Sequence, residues 1–151
     1  MRNERYNYSA RPAELKDVMF FYEAICSIAD NKFDINEFNS QYKEKLKDKT
    51  YIQLVLEIDD KLIGGCIVAQ ARKNLSDPLS FIEVQELFIA HKYRKYNAAD
   101  FLYFALEEKA LNLKHTQLRV NCNINSTLNQ NFYVKRGFKM YKKQYKKMIL
   151  V

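Results

Sequence analysis

Apolar side chains recur at spacings of three and four through Leu15, Val18, Met19, Tyr22, Ile25 and Ile28, which predicts an amphipathic helix over 13–29. Ser9 and Pro12 precede it, and proline suits a helix start. Asp34 followed by Glu37 has the form of a capping box, so a second helix is expected to run to about Lys47. The pattern then changes. Two runs of aliphatic and aromatic residues, 51–58 and 61–70, flank Asp59-Asp60, which reads as a hairpin with a two-residue acidic turn. Residues 71–78 read as loop, 81–90 as a long strand and 98–111 as a helix. A strand is expected over 117–124, and a short helix over 126–136 that Gly137 ends. Residues 5–10 read as a first strand and 138–150 as a final strand or strand pair. The order β α α β β β α β α β predicts a mixed α/β sheet with helices on its faces. No repeat or linker divides the chain, so residues 1–151 are expected to form one domain.

Composition narrows the chemistry. Cys26, Cys66 and Cys122 are far apart and sit in apolar segments, and His91 and His115 are the only histidines. This spacing predicts free thiols and no metal site. The first ten residues contain no apolar stretch of the signal-peptide kind and no apolar run reaches membrane length, so a cytoplasmic protein is expected, with no membrane partner. The net charge is +7. The basic residues do not gather in one block. The densest group, Lys142, Lys143, Lys146 and Lys147, would point to both faces of an extended strand, which argues against nucleic-acid reading.

Two segments carry candidate chemistry. In the first, a strand through Leu87, Phe88 and Ile89 leads by a tight loop into a helix that starts near Ala98 and Ala99. Unpaired amides in a first helical turn, together with the helix dipole, favour an anion. Small side chains there let a phosphate approach the backbone. The second segment runs from Asn125 to Phe138 and contains Phe132-Tyr133 and Gly137-Phe138.

Both segments resemble motifs of the GNAT superfamily of N-acetyltransferases. Arg94, Asn97 and Ala99 occupy the marked positions of its pyrophosphate signature, with asparagine where glycine is usual. Phe132, Tyr133, Gly137 and Phe138 match its closing motif in register. Asn97 departs from the pattern, but asparagine tolerates a left-handed backbone better than most residues. The resemblance implies a twisted, mostly antiparallel sheet of 6–7 strands with a central parallel pair and about four flanking helices. It implies acetyl-CoA as cosubstrate and a small-molecule amine as acceptor, and it leaves a homodimer open. Leu87, Phe88 and Ile89 would pair with the pantetheine arm. Arg94, Lys95, Tyr96, Asn97, Ala98 and Ala99 would cradle the pyrophosphate, with Asn125 and Asn129 also assigned to the cofactor. Tyr133 would protonate the departing thiolate. The base would be Glu83, with Glu86 as second choice. The two point to opposite faces of a regular strand, and a bulge would change that parity. Segments 21–26, 33–38 and 81–87 resemble bacterial aminoalkylphosphonate N-acetyltransferases, which makes such an amine the first acceptor to expect. A non-catalytic acyl-CoA-binding module remains the alternative, as do protein, polyamine and aminoglycoside acceptors.

Overall fold

The computed structural model describes residues 5–73, 75, 80–115 and 117–150. Two compact units partition the chain, Met1–Val120 and Asn121–Val151.

The first unit is built on a five-stranded sheet with strands in chain order: β1 (Tyr8–Pro12), β2 (Tyr51–Ile58), β3 (Leu62–Arg72), β4 (Phe81–Ile89) and β5 (Leu118–Val120). The first three pairings are antiparallel, and β4 with β5 is parallel. Helices α1 (Val18–Ala29) and α2 (Ile35–Lys47) join β1 to β2, and α3 (Ala98–Asn112) joins β4 to β5. Ala98, Leu102, Leu106 and Ala110 recur every fourth residue on α3 and are buried with Leu56, Ile67 and Ile82 of the sheet. Phe21, Ala24 and Tyr42 of α1 and α2 pack on the sheet residues Val55, Cys66 and Val68. Each fully buried leucine or phenylalanine contributes about 1.5–3 kcal/mol. The sheet is therefore covered on both faces, which accounts for the near-continuous apolar runs of β2 and β3.

Local chemistry shapes the connections. The hairpin connection is three residues, 59–61, rather than two; Asp59 and Asp60 both have positive φ, 54° and 61°, at the centre of a turn that the Lys61 amide closes on the Ile58 carbonyl. The Asp34 carboxylate accepts from the Glu37 amide at 2.8 Å and caps α2. The first helix starts later than its periodicity suggests, because Leu15–Asp17 form a 3-10 turn. Asp17 is the reason. Its buried carboxylate accepts from Arg11 at 2.8 and 3.0 Å and from the Glu14 amide at 2.8 Å, while Arg11 also reaches Glu57 of β2. Burial opposes the charge on Asp17, but Arg11 and the Glu14 amide outweigh it and hold the carboxyl below its usual range.

Such a group stabilises the fold above the unfolded aspartate value, about 3.9, and the gain is lost as pH falls through the lower folded value. Asp17→Ala is expected to cost about 2–3 kcal/mol, below a fully buried broken pair because Arg11 keeps Glu57. That lowers the melting temperature by about 5–10 °C at pH 7. Melting curves between pH 7 and pH 3 should show the gap between parent and variant narrowing as pH falls.

Several expectations are corrected. The described sheet has five strands rather than 6–7, and its parallel pair lies at one edge rather than at the centre. Residues 138–150 form no strand. Met140, Tyr145 and Ile149 there are all more than four-fifths exposed, so the segment has no buried face to set a register. The strand expected over 117–124 is confined to Leu118–Val120. Of the loop read over 71–78, residues 71 and 72 extend β3, and 74 and 76–78 lie outside the described residues.

Candidate acetyl-transfer site

Strand β4 organises the site. On one side it pairs with β3 along its length; on the other, β5 covers only Ile82–Val84. Beyond Val84 that edge has no strand partner among the described residues. The Ala90 amide donates to the Gly64 carbonyl on the β3 side, so by antiparallel alternation the main-chain groups of Leu87 and Ile89 turn to the open edge. An extended amide-bearing chain could pair there. Gly65 lets β3 approach closely, because a Cβ at that position would meet the Phe88 carbonyl oxygen at 2.8 Å. The Phe88 side chain lies on the α1/α2 face, edge-on to Phe20 at 6.0 Å between ring centroids.

The register of β3 and β4 shifts between Val68 and Ala69: Val68 faces Glu86, Ala69 faces Val84, and Gln85 is the extra residue. The consequence is a change of parity. Val84 and Leu87, three apart, both pack on the α3 side. Glu83 and Glu86 therefore share the other face, beneath α1 and α2. Their surroundings differ. Glu83 is ion-paired with Arg72 at 3.0 Å. Glu86 is half-buried beside the Cys66 and Val68 cluster. Burial raises its pKa, only partly offset by the Lys45 ammonium of α2. The same burial, with the Glu86 charge, pushes the Cys66 thiol up to about 12. Next to the carboxylates, Gln85 donates to Gln70, and Gln70 to Thr50.

Past β4 the chain makes a 3-10 turn, His91–Tyr93, and enters the loop 94–97. Asn97 has φ 58° and ψ 22°, the left-handed conformation that glycine adopts most easily. It is followed at once by α3, whose first backbone bond runs from the Phe101 amide to the Asn97 carbonyl. The amides of Ala98 and Ala99 thus precede the intrahelical ladder, with methyl groups that leave room for an anion. Arg94 points back: its Nε donates to the Ile89 carbonyl at 2.8 Å, tying loop to strand. Lys95 is exposed, and Tyr96 faces β1. Left-handed Asn97 and the paired alanines could hold a phosphate, and the open strand edge an extended amide-bearing chain.

Tyr133, Asn125 and Asn129 belong to the second unit. Tyr133 is the buried residue of α4 (Thr127–Val134), its ring 5.1 Å from Phe132 and 5.2 Å from Phe138. Gly137, at φ 92°, ends that helix: its amide donates to the Val134 carbonyl and the Phe138 amide to the Tyr133 carbonyl, a Schellman closure. The Asn125 amide donates to the Asn123 side chain, and the Gln130 side chain donates to the Asn123 and Ile124 carbonyls, ordering the turn before α4. Asn129 is exposed. Sequence reasoning missed Arg72 and Lys45. Only the strand register and the packing of α2 put these cations near the carboxylates.

An open strand edge beside a parallel pair, next to a helix start with free amides, defines a mixed α/β fold with room for an extended, anionic ligand. The acetyltransferase (GNAT) domain family matches residues 22–150, and the chain belongs to that family. It is an N-acetyltransferase with acetyl-CoA as cosubstrate. No curated protein matches the sequence. Solved structures match in fold. An aminoglycoside antibiotic 6'-N-acetyltransferase from Acinetobacter baumannii aligns at TM-score 0.78 and 14% identity, over 96% of this chain and 100% of its own. A ribosomal-protein-alanine N-acetyltransferase from Brucella melitensis biovar Abortus 2308 aligns at 0.75 and 16%, over 95% and 100%. AAC(6')-Iy in complex with the bisubstrate analog CoA-S-monomethyl-acetylneamine aligns at 0.80 and 14%, over 95% and 99%.

Proposed function

We propose that the chain acetylates the primary amine of a small, anionic molecule of the aminoalkylphosphonate kind, with Glu86 as base and Tyr133 as acid. The observation that carries this reading is Glu86: a half-buried carboxyl with a raised pKa, on the strand whose edge is open. A base of that kind matches proton removal from an ammonium near neutral pH better than an ordinary carboxylate. Glu83 is ion-paired with Arg72, which favours Glu86 over Glu83, the first choice from sequence, as the base. Acetyl-CoA supplies the activated acetyl thioester. Leu87 and Ile89 hold its amide-bearing arm, and Ala98 and Ala99 its pyrophosphate. Glu86 takes a proton from the acceptor ammonium, freeing the lone pair for attack. The Tyr133 hydroxyl, by the resemblance of residues 125–138, gives a proton to the sulfur that departs.

The acceptor's charge is argued from Arg72 and the net charge. Arg72 is half-exposed and gives only one nitrogen to Glu83, which leaves it donors for an anion, and a protein of net charge +7 repels polycations and attracts anions. The test is a panel of acceptors compared by kcat/KM. A small aminoalkylphosphonate is expected to exceed the matching uncharged alkylamine alcohol by about tenfold, the scale of one charge-assisted contact. Spermidine and aminoglycosides should be poorer still. A preference for either polycation would overturn the acceptor assignment while leaving the transfer reaction intact.

A further inference from the structure

The loop of residues 94–97 is clasped from a distant part of the chain. The Tyr8 hydroxyl on β1 donates to the Tyr96 carbonyl at 2.8 Å, across 88 residues of sequence. The Tyr8 ring packs 5.6 Å from Phe101, in the first turn of α3. Tyr6 is edge-on to Tyr93 and to Tyr96, at 5.2 Å each, and the Arg5 guanidinium lies 4.9 Å from the centre of the Tyr96 ring. The start of the chain thus forms an aromatic collar against the loop that leads into α3.

The hydrogen bond has a specific consequence. A trans peptide holds its C=O and N–H antiparallel in one plane. Fixing the Tyr96 carbonyl toward Tyr8 therefore fixes the Asn97 amide in the opposite direction. A flip of this peptide would rotate φ of Asn97 by about 180°, from left-handed to the negative region that L-residues prefer. It would also turn the Tyr96 oxygen to where the Asn97 amide now points. Glycine has no bias toward such a flip, since both signs of φ suit it; asparagine, an L-residue, has a standing bias toward it. Asn97 is nonetheless left-handed, at φ 58°.

We infer that Tyr8 is a positioning residue of the cofactor loop: its hydroxyl locks the Tyr96–Asn97 peptide so that Asn97 stays left-handed and its amide joins those of Ala98 and Ala99 on the pyrophosphate. The clasp lets asparagine stand where the family has glycine. This rests on reading residues 94–99 as the acetyl-CoA loop.

A double-mutant cycle tests it. Tyr8→Phe keeps the ring and its packing on Phe101. The dissociation constant for CoA, measured by calorimetry, and KM for acetyl-CoA should rise about three- to tenfold, the scale of one hydrogen bond. The kcat at saturating acetyl-CoA should stay near the parent's, because the reacting atoms are untouched. In an Asn97→Gly background the same substitution should change CoA affinity by less than about twofold. A general loss of stability would weaken both backgrounds equally, and that result overturns the inference, as does unchanged affinity in Tyr8→Phe alone. Should Tyr8→Phe not fold, Asn97→Ala reads the same lock with Tyr8 intact: alanine resists the left-handed state, so CoA affinity should fall by about tenfold, and unchanged affinity overturns the inference. Failure of the parent chain to bind CoA would instead remove the loop reading itself.

Discussion

Tyr133→Phe is expected to lower kcat about 10²–10⁴-fold while CoA affinity stays within a few fold of the parent. The substitution removes one oxygen. The ring remains between Phe132 and Phe138, and the Schellman closure of α4 at Gly137 uses only backbone groups. Folding should therefore survive. On the proposed role, what is lost is a proton donor for the departing thiolate, which matters only in the transition state and so appears in kcat rather than in binding. Stopped assays of thiol release, with CoA binding by calorimetry on the same samples, check it. Full activity in Tyr133→Phe would mean that water or another group delivers the proton.

Glu86→Gln acts on the other proton. At pH 7 an alkylamine of ordinary pKa, about 10.4, is only about one part in 10³ neutral. Without a base the reaction must wait for that fraction, so kcat/KM should fall about 10²–10³-fold. The deficit has a signature. If Glu86 is the base, the parent's activity should rise as pH climbs through the raised pKa of Glu86 and then level, because a deprotonated carboxylate would be the working form. For Glu86→Gln it should keep rising with the free-amine fraction, so the gap closes by about tenfold per pH unit. Glu83→Gln should cost less than tenfold and keep the parent's profile, since that carboxylate is held by Arg72. A profile that changes shape in Glu83→Gln and not in Glu86→Gln would return the role to Glu83.

The parts of this protein legible in its sequence are those written in short-range chemistry. Asp34 and Glu37 announced the start of α2, the Asp59-Asp60 turn its hairpin, and Gly137 the end of α4, because each depends on residues within five positions. Asn97 was legible for the same reason: a tight turn before a helix needs a residue that accepts positive φ. The fate of 138–150 was not. That segment has strand-forming residues, but a strand exists only where a partner and a buried face fix it, and neither is local. The parity of Glu83 and Glu86 needed the register of β3 against β4, and one extra residue at Gln85 reversed it. Arg72 beside Glu83 and Tyr8 beside Tyr96 are meetings across strands and across 88 positions. No pattern in the chain encodes them.

The proposed transfer is direct, from acetyl-CoA to an amine, with no acetyl-enzyme between. Two of the three cysteines oppose a covalent route: burial pushes the Cys66 thiol up to about 12 and raises that of Cys122, so neither is a ready thiolate near neutral pH. Initial rates measured over a grid of acetyl-CoA and acceptor concentrations, with intact-protein mass spectrometry after acetyl-CoA alone, test this directly. Direct transfer in a ternary complex predicts intersecting double-reciprocal lines and an unmodified protein mass. Parallel lines together with an acetylated cysteine would contradict it.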